Sequence, residues 1–210
     1  MLSKIFYTLT QLFFKFIFII YNRITVEWEA HLPESDRFIV AANHCSNLDP
    51  LIIGSYFPKR LKYFAKDELF HIFIIGRAIR ILGGIPVLQE DRNAAASALK
   101  TLLNLLQGGD SVILFPEGSR SLDGKLKPLE GGTALISIKS GVPIIPAYVS
   151  GTFEAMPSGA KLVKPKKIRL IFGEAIYPPM DVGKSSKAIR DELTQALANA
   201  LSNMENKYEK

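Results

Sequence analysis

Short apolar segments alternate with helix-length segments over most of the chain, and this alternation restricts the possible folds more than any other feature. Six short runs rich in β-branched and aromatic residues predict strands: residues 37–42, 61–65, 85–88, 111–115, 144–149 and 167–172. Five longer segments predict helices: residues 50–56, 67–82, 93–106, 132–139 and 185–206. Such alternation is typical of an α/β fold, so we expect a single layered domain with a mostly parallel, mixed sheet flanked by helices.

The N-terminal segment differs from the rest because it is apolar on nearly every side. Residues 5–21 read IFYTLTQLFFKFIFIIY, with Gln11 and Lys15 among the polar interruptions. A membrane-spanning helix needs about 20 mostly apolar residues, and a central lysine costs about 2.5–3.5 kcal/mol. We therefore expect residues 1–27 to form a membrane-anchoring helix that lies at the interface, and residues 28–210 to form the layered domain. A full span, in which Lys15 reaches toward the polar surface, is the alternative.

The composition indicates an anionic or lipid-like partner. Hydrophobic residues make up 48% of the chain, and the mean hydropathy is +0.15 even though 22% of the residues are charged. The formal net charge of +6 suits a phospholipid membrane, a phosphorylated substrate, coenzyme A or an acidic carrier protein. The sequence has no helix-turn-helix, zinc-finger or ribonucleoprotein signature, so no nucleic acid is expected as a partner.

The predicted helix at residues 67–82 combines large apolar side chains with Arg77 and Arg80. A basic and strongly apolar helix of this kind can lie in the headgroup region of a membrane. The alternative is a helix that packs in the core and turns its two arginines to solvent. The sequence leaves both interpretations open.

A histidine and an aspartate follow the first predicted strand, in the segment ANHCSNLDP. His44 stands at the carboxyl end of that strand, where α/β sheets usually place their ligand sites. A turn at the intervening Ser-Asn pair would bring Asp49 back to His44. A carboxylate in that position fixes the imidazole tautomer and stabilises the imidazolium, so the other ring nitrogen can act as a general base. Alternatively, Asp49 only caps a helix with Pro50 in its first turn, and His44 is a loop residue.

A second polar motif, FPEGSRS, begins at Phe115 at the end of another predicted strand. Gly118 permits close backbone approach and leaves an N–H group that can bind an anion. The guanidinium of Arg120 is a planar fork that matches phosphate oxygens. An ion pair between Glu117 and Arg120 at a turn is the simpler interpretation.

Together the two motifs resemble those of the PlsC-like glycerolipid acyltransferase family, whose best-known members acylate lysophosphatidic acid (1-acyl-glycerol-3-phosphate). The family is marked by N-H-x-x-x-x-D, here Asn43, His44 and Asp49, and by F-P-E-G-[ST]-R-S farther along the chain. A third feature, apolar-V-P-x-x-P, matches GVPIIP at residues 141–146. The resemblance covers most of the chain, from about residue 32 to residue 172.

The resemblance implies an acyltransferase that forms phosphatidic acid in phospholipid biosynthesis, with residues 28–210 as the acyltransferase domain. His44 would be the catalytic base that activates the acceptor hydroxyl, and Asp49 would orient it. The implied substrate-binding residues are Glu117, Gly118, Ser119, Arg120 and Arg92. We expect no cofactor and no metal, since acyl-CoA or acyl-ACP is a co-substrate. The expected partners are this donor, a lysophospholipid acceptor and an anionic phospholipid membrane, which the protein would join on the cytoplasmic face of the (inner) membrane.

Two positions depart from the usual pattern of the family. Gln89 stands where the family usually has an arginine, although Arg92 follows shortly after and can substitute. Glu130 stands where a lysine is frequent. Both differences remove positive charge near the expected phosphate, which leaves a different lysolipid acceptor open. The non-enzymatic alternative is a catalytically silent membrane protein that binds lipid.

Overall fold

In the computed structural model, which describes residues 2–71, 73–87, 94–160, 162–179 and 185–208, seven strands form one sheet in the order β1-β7-β6-β2-β5-β3-β4. The strands are β1 Thr25–Trp28, β2 Ile39–Ala42, β3 Leu61–Lys66, β4 Gly84–Val87, β5 Ser111–Leu114, β6 Ile144–Ser150 and β7 Arg169–Phe172. All neighbouring strands are parallel except β6 and β7, which are antiparallel. The predicted α/β fold with a mostly parallel, mixed sheet is confirmed.

Helices cover both faces of this sheet. They are α1 Leu2–Asn22, α2 Asp49–Tyr56, α3 Asp67–Phe70, α4 Phe73–Ile81, α5 Ala94–Gln107, α6 Gly132–Ser140, α7 Thr152–Ala155 and α8 Ser186–Tyr208. Side chains of α1 to α4 pack in one buried apolar cluster, and side chains of α5, α6 and α8 pack in another. The central strand β2 alternates between the two clusters, because successive strand residues point to opposite faces: Val40 and Ala42 join the first, and Ile39 and Ala41 the second.

The predicted strands are all present, and so are all the predicted helices except one. The prediction of a single helix at residues 67–82 is wrong. The structure has two shorter helices there, α3 and α4. Gly76 of α4 lies directly against the backbone of Phe70, and a β-carbon on Gly76 would overlap the Phe70 carbonyl oxygen. With the segment divided into two helices, Phe70 of α3 and Ile79 of α4 are both buried in the same apolar cluster.

Strand β1 was not predicted from the sequence. It lies at one edge of the sheet, where it pairs only with β7 among the described strands, and three of its four residues are exposed. A strand in that position needs no continuous apolar run, so its sequence, TVEW, resembles a loop. The strand also crosses the expected domain boundary after residue 27, and that division stays a prediction.

Helix α1 lies along α2 and is attached to it by polar side chains. The side-chain amide of Gln11 donates to the carbonyl oxygens of Gly54 and Phe57 at the end of α2, at 3.4 Å each. The Nζ atom of Lys15 lies over the ring of Tyr56, 5.5 Å from its centroid. Gln11 and Lys15, two of the polar residues that interrupt the apolar sequence, therefore face the protein.

The outward face of α1 is a stripe of large apolar side chains, which we call the apolar stripe. Each is about half exposed: Ile5, Phe6, Leu9, Leu12, Phe13, Phe16, Ile19 and Ile20. Over Ile5–Asn22, α1 is long and apolar enough to cross a membrane, and it is the one helix of the described residues with this length and composition. The same exposed surface also suits a helix that lies flat on a bilayer.

Candidate active site

Two loops at one edge of the sheet bring the two sequence motifs together. β2 and β5 are parallel neighbours, so their carboxyl ends lie side by side. The histidine loop, residues 43–49, follows β2, and the glutamate loop, residues 115–121, follows β5. The N–H of Ser121 donates to the carbonyl oxygen of His44 at 2.7 Å, which joins the two loops through their backbones.

The His44 ring and the Asp49 carboxylate are in direct contact. Nδ1 of His44 lies 2.9 Å from Oδ2 of Asp49. The Asp49 side chain is 1% exposed, whereas the His44 side chain is 18% exposed. The same Oδ2 atom accepts hydrogen bonds from the backbone N–H groups of Cys45 and Ser46, at 2.8 Å each. The carboxylate is thus fixed by the turn of the loop and in turn holds the imidazole.

The alternative interpretation, in which Asp49 only caps the following helix, does not describe the structure. α2 begins at Asp49 and has Pro50 in its first turn, but no side chain caps its N-terminus. The Asp49 carboxylate instead turns back toward the histidine loop, which precedes the helix. Its second oxygen, Oδ1, is buried and has no hydrogen-bond partner among the described residues. The position of this carboxylate therefore serves His44 rather than the helix.

The imidazole also contacts an aromatic ring and is partly exposed to solvent. The ring stacks on Phe115, with centroids 3.9 Å apart and planes at 16°. Since Nδ1 contacts Asp49, the outer nitrogen Nε2 remains, and it makes no hydrogen bond within the part of the chain that the structure describes. A hydroxyl group that reaches this partly exposed ring can therefore donate its proton to Nε2.

Asn43 attaches the histidine loop to the neighbouring strand β6. Its Oδ1 atom accepts from the N–H of Val149 at 2.7 Å, and its Nδ2 atom donates to the carbonyl oxygen of Val149 at 2.9 Å. The side chain is 2% exposed. Sequence reasoning gave Asn43 no role beyond its place in the motif. One signal could have indicated its structural role. An asparagine side chain can donate and accept hydrogen bonds at once, and this one stands directly after a central strand.

We expect Asn43→Ala to lower the free energy of unfolding by about 2–3 kcal/mol, because it removes both buried hydrogen bonds to Val149 and leaves the backbone groups of Val149 unpaired. Urea unfolding measures this as a lower midpoint with an unchanged slope. The matched control is Asn104→Ala, which removes an exposed asparagine from α5. Equal stability of the two variants would contradict the structural role of Asn43.

Glu117 lies beneath both loops rather than at their surface. It is 4% exposed; its Oε1 atom accepts from the backbone N–H of His44 at 2.7 Å, and its Oε2 atom accepts from the backbone N–H of Lys127 at 2.9 Å. Burial raises the pKa of Glu117 above the ordinary value of 4.5, and the two N–H donors oppose that rise. The simpler interpretation, an ion pair with Arg120, does not describe this geometry.

In the glutamate loop Gly118 closes a turn, whereas Arg120 has donors left for a ligand. Gly118 has a φ of +71°, and its N–H donates to the carbonyl oxygen of Phe115 at 3.1 Å, which closes a turn. The expectation that this N–H is free to bind an anion is therefore wrong. Arg120 donates from Nη1 to Oδ1 of Asn47 at 3.0 Å. Its other N–H groups make no hydrogen bond to a described residue, so they are available to a ligand.

Ser119 and Glu130 contact residues in or near the glutamate loop, and the positions of Gln89 and Arg92 are not described. The hydroxyl of Ser119 accepts a hydrogen bond from the Lys127 ammonium group. The Glu130 carboxylate lies against Gly118, where a β-carbon would be 2.6 Å from Oε1. In the described part of the chain, no three His, Cys, Asp or Glu side chains are grouped to hold a metal ion. Two positions fall outside the described residues: Gln89 and Arg92.

Comparison with known proteins identifies relatives of this chain. The family model described as Acyltransferase matches residues 23–150, which include both loops. The 1-acyl-sn-glycerol-3-phosphate acyltransferase of Bacillus subtilis is 31% identical, over 85% of this chain and 86% of that protein. A chloroplastic 1-acyl-sn-glycerol-3-phosphate acyltransferase from Brassica napus is 32% identical over 81% of this chain. The match covers 48% of that relative, so this chain spans about half of its length. The crystal structure of the lysophosphatidic acid acyltransferase PlsC from Thermotoga maritima superposes with a TM-score of 0.73, at 28% identity, over 96% of this chain and 81% of that one.

Proposed function

This chain belongs to the acyltransferase family, and on that premise we propose that it transfers a fatty-acyl group from an acyl thioester to the free hydroxyl of lysophosphatidic acid, giving phosphatidic acid. The names of the Bacillus subtilis and Brassica napus relatives support this substrate. The observation that carries the proposal is the 2.9 Å contact between His44 Nδ1 and Asp49 Oδ2, which leaves Nε2 of the partly exposed ring without a hydrogen-bond partner among the described residues.

In the proposed reaction His44 moves one proton twice. Nε2 takes the proton of the acceptor hydroxyl while the hydroxyl oxygen attacks the thioester carbonyl carbon. The imidazolium that forms is stabilised by the Asp49 carboxylate at Nδ1. When the tetrahedral intermediate collapses, the carbon–sulfur bond breaks and the imidazolium returns the proton to the departing thiolate. The products are an ester and a free thiol, and the enzyme is unchanged.

Arg120 is proposed to bind the phosphate of the acceptor. Its guanidinium makes one hydrogen bond to Asn47, and its remaining donors can form a fork on phosphate oxygens. Because Ser121 of the same loop is bonded to the His44 backbone, a phosphate on Arg120 holds the acceptor close to the base. Arg92, predicted to assist, stays a prediction.

The attachment and the exposed surface of α1 support a membrane position for the enzyme. The helix is bonded along α2 through Gln11, and near its end Asn22 donates to two carbonyl oxygens of the segment before β7, at 3.1 and 3.0 Å. A helix attached to the domain over its length cannot cross a bilayer while the domain stays in water. We therefore propose that the apolar stripe lies in the interface of an anionic phospholipid membrane, on the cytoplasmic face of the (inner) membrane. There the enzyme would meet acyl-CoA or acyl-ACP.

The test compares two acceptors with protein reconstituted in lipid. Lysophosphatidic acid and monoacylglycerol, which lacks the phosphate, are each supplied with labelled acyl-CoA or acyl-ACP. We expect Arg120→Gln to lower kcat/KM for lysophosphatidic acid about 10–100-fold, because a charge-assisted contact to phosphate is lost, and to leave monoacylglycerol turnover unchanged. An equal loss with both acceptors would contradict phosphate binding by Arg120.

Glu130 favours a second candidate, acylation of a lysolipid without a phosphate at this point. Its carboxylate lies beside Gly118 of the glutamate loop, where it repels an anionic acceptor. Higher kcat/KM for monoacylglycerol than for lysophosphatidic acid in the same assay would establish that alternative. Absence of turnover with both acceptors and both donors would favour the catalytically silent lipid-binding protein.

A further inference from the structure

Three arginine side chains converge on a cavity between α1 and α4. The cavity has a volume of about 630 Å³, and its lining residues are Phe6, Arg60, Arg77, Arg80 and Ile81. Arg60 directly precedes β3, and Arg80 and Ile81 end α4 shortly before β4. The cavity therefore lies at the amino-terminal edge of the sheet, opposite to the edge that carries His44. We call it the arginine cavity.

The positive charge of the arginine cavity has no acidic counterpart among the described residues. Within the described residues none of its three arginines forms a salt bridge, and no acidic residue lines the cavity. Each guanidinium instead lies over an aromatic ring, at 5.3 to 5.5 Å from the centroid: Arg60 over Tyr7, Arg77 over Phe73 and Arg80 over Phe70. Three cations that share one cavity repel one another, so a bound anion would lower the energy of this region.

The surroundings of the arginine cavity match a phospholipid better than a free anion. Phe6, one of its lining residues, belongs to the apolar stripe of α1. Phe73, one turn before Arg77 on α4, is 78% exposed. Positive charge at the border of an exposed apolar surface is the arrangement with which interfacial helices bind anionic lipids. We propose that the arginine cavity binds the phosphate headgroup of an anionic phospholipid of the bilayer, while the lipid chains lie along the apolar stripe.

This site is separate from the proposed acyl transfer. The lipid in the arginine cavity would be held at the edge of the sheet remote from His44, so it is bound without being acylated. α1 has 21 residues and is therefore about 31 Å long, from the arginine cavity at its start to the active-site edge near its end. A lipid bound at the start of α1 would lay the whole helix on the bilayer and bring the histidine loop to the same surface.

The experiment measures binding of the full-length protein to vesicles of phosphatidylcholine and to vesicles of equal parts phosphatidylcholine and phosphatidylglycerol. The unchanged protein should bind the anionic vesicles more tightly. The triple variant Arg60→Gln, Arg77→Gln, Arg80→Gln should lose roughly 100-fold in affinity for the anionic vesicles, about fivefold for each arginine, and should keep its affinity for phosphatidylcholine. The double variant Arg77→Gln, Arg80→Gln spares Arg60, which also donates to the carbonyl oxygen of Ile81, and should lose roughly 25-fold.

The matched control removes three exposed lysines from the helices on the other face of the sheet: Lys100→Gln, Lys139→Gln and Lys187→Gln. It lowers the net charge by the same amount and should bind anionic vesicles with nearly unchanged affinity. An equal loss for the control and the arginine variants would overturn the proposal, since general charge would then explain the binding. Retention of full affinity by the double variant would also overturn it. Vesicle binding requires no turnover, so a failure of the proposed acyl transfer would be seen separately.

Discussion

Acyl transfer by the His44→Ala variant should be slower than that of the unchanged protein by about 10²–10⁴-fold in kcat, the usual contribution of a general base. The partly exposed side chain stacks on Phe115 and contacts Asp49, while the backbone N–H of His44 still donates to Glu117 in the variant. The loop should therefore keep its shape. The assay follows labelled acyl groups from donor to lysophosphatidic acid under saturating conditions.

The matched control for this variant is His31→Ala, because His31 is an exposed histidine outside both loops. It should retain the activity of the unchanged protein. Thermal unfolding and vesicle binding of the two variants should be alike, which separates a loss of chemistry from a loss of folding. Undiminished turnover in purified His44→Ala protein would exclude His44 as the base.

Asp49→Asn should also lower kcat by about 10²–10⁴-fold, with little change in KM. The asparagine oxygen can keep the hydrogen bonds to Cys45 and Ser46, but it has no negative charge to stabilise the imidazolium of His44. The new amide group takes the place of Oδ1, which is buried without a partner among the described residues, and this should cost about 1–3 kcal/mol of stability. Steady-state kinetics and urea unfolding on the same preparation measure both effects.

This substitution also tests the competing explanation of Asp49. Asparagine is as good a helix cap as aspartate, so a residue that only caps α2 would tolerate the exchange without loss of activity. An active Asp49→Asn variant would thus contradict the orienting role. The control is Asp110→Asn, in the turn before β5 and away from both loops, which should leave kcat unchanged.

Much of the fold could be predicted because its central strands are buried on both faces. β2 consists of buried apolar residues throughout, and β6 has a buried, mainly apolar run before its last residue; both patterns are visible in the sequence. β1 escaped prediction because an edge strand with exposed residues has no such pattern. The orientation of α1 could not be predicted either. Gln11 and Lys15 interrupt the apolar sequence, but only the position of α2 shows that both face inward.

The candidate site also has one part that the sequence predicts and another that it does not. Local sequence predicted that a turn brings Asp49 to His44, because both lie in one short loop. The contacts of Asn43 with Val149 and of Glu117 with the backbone of His44 depend on which strands are neighbours in the sheet. That order, β6-β2-β5, is set by packing over the whole domain and is not visible in any single segment.

The buried Glu117 carboxylate links the base to the loop that is proposed to choose the acceptor. One of its oxygens holds the backbone of His44, and the other holds the backbone of Lys127, whose side chain reaches Ser119. A substitution that reshapes the glutamate loop to admit a new acceptor would therefore also shift the imidazole. The range of acceptors and the catalytic rate should therefore change together. A substitution that alters the acceptor alone must leave the two Glu117 hydrogen bonds in place.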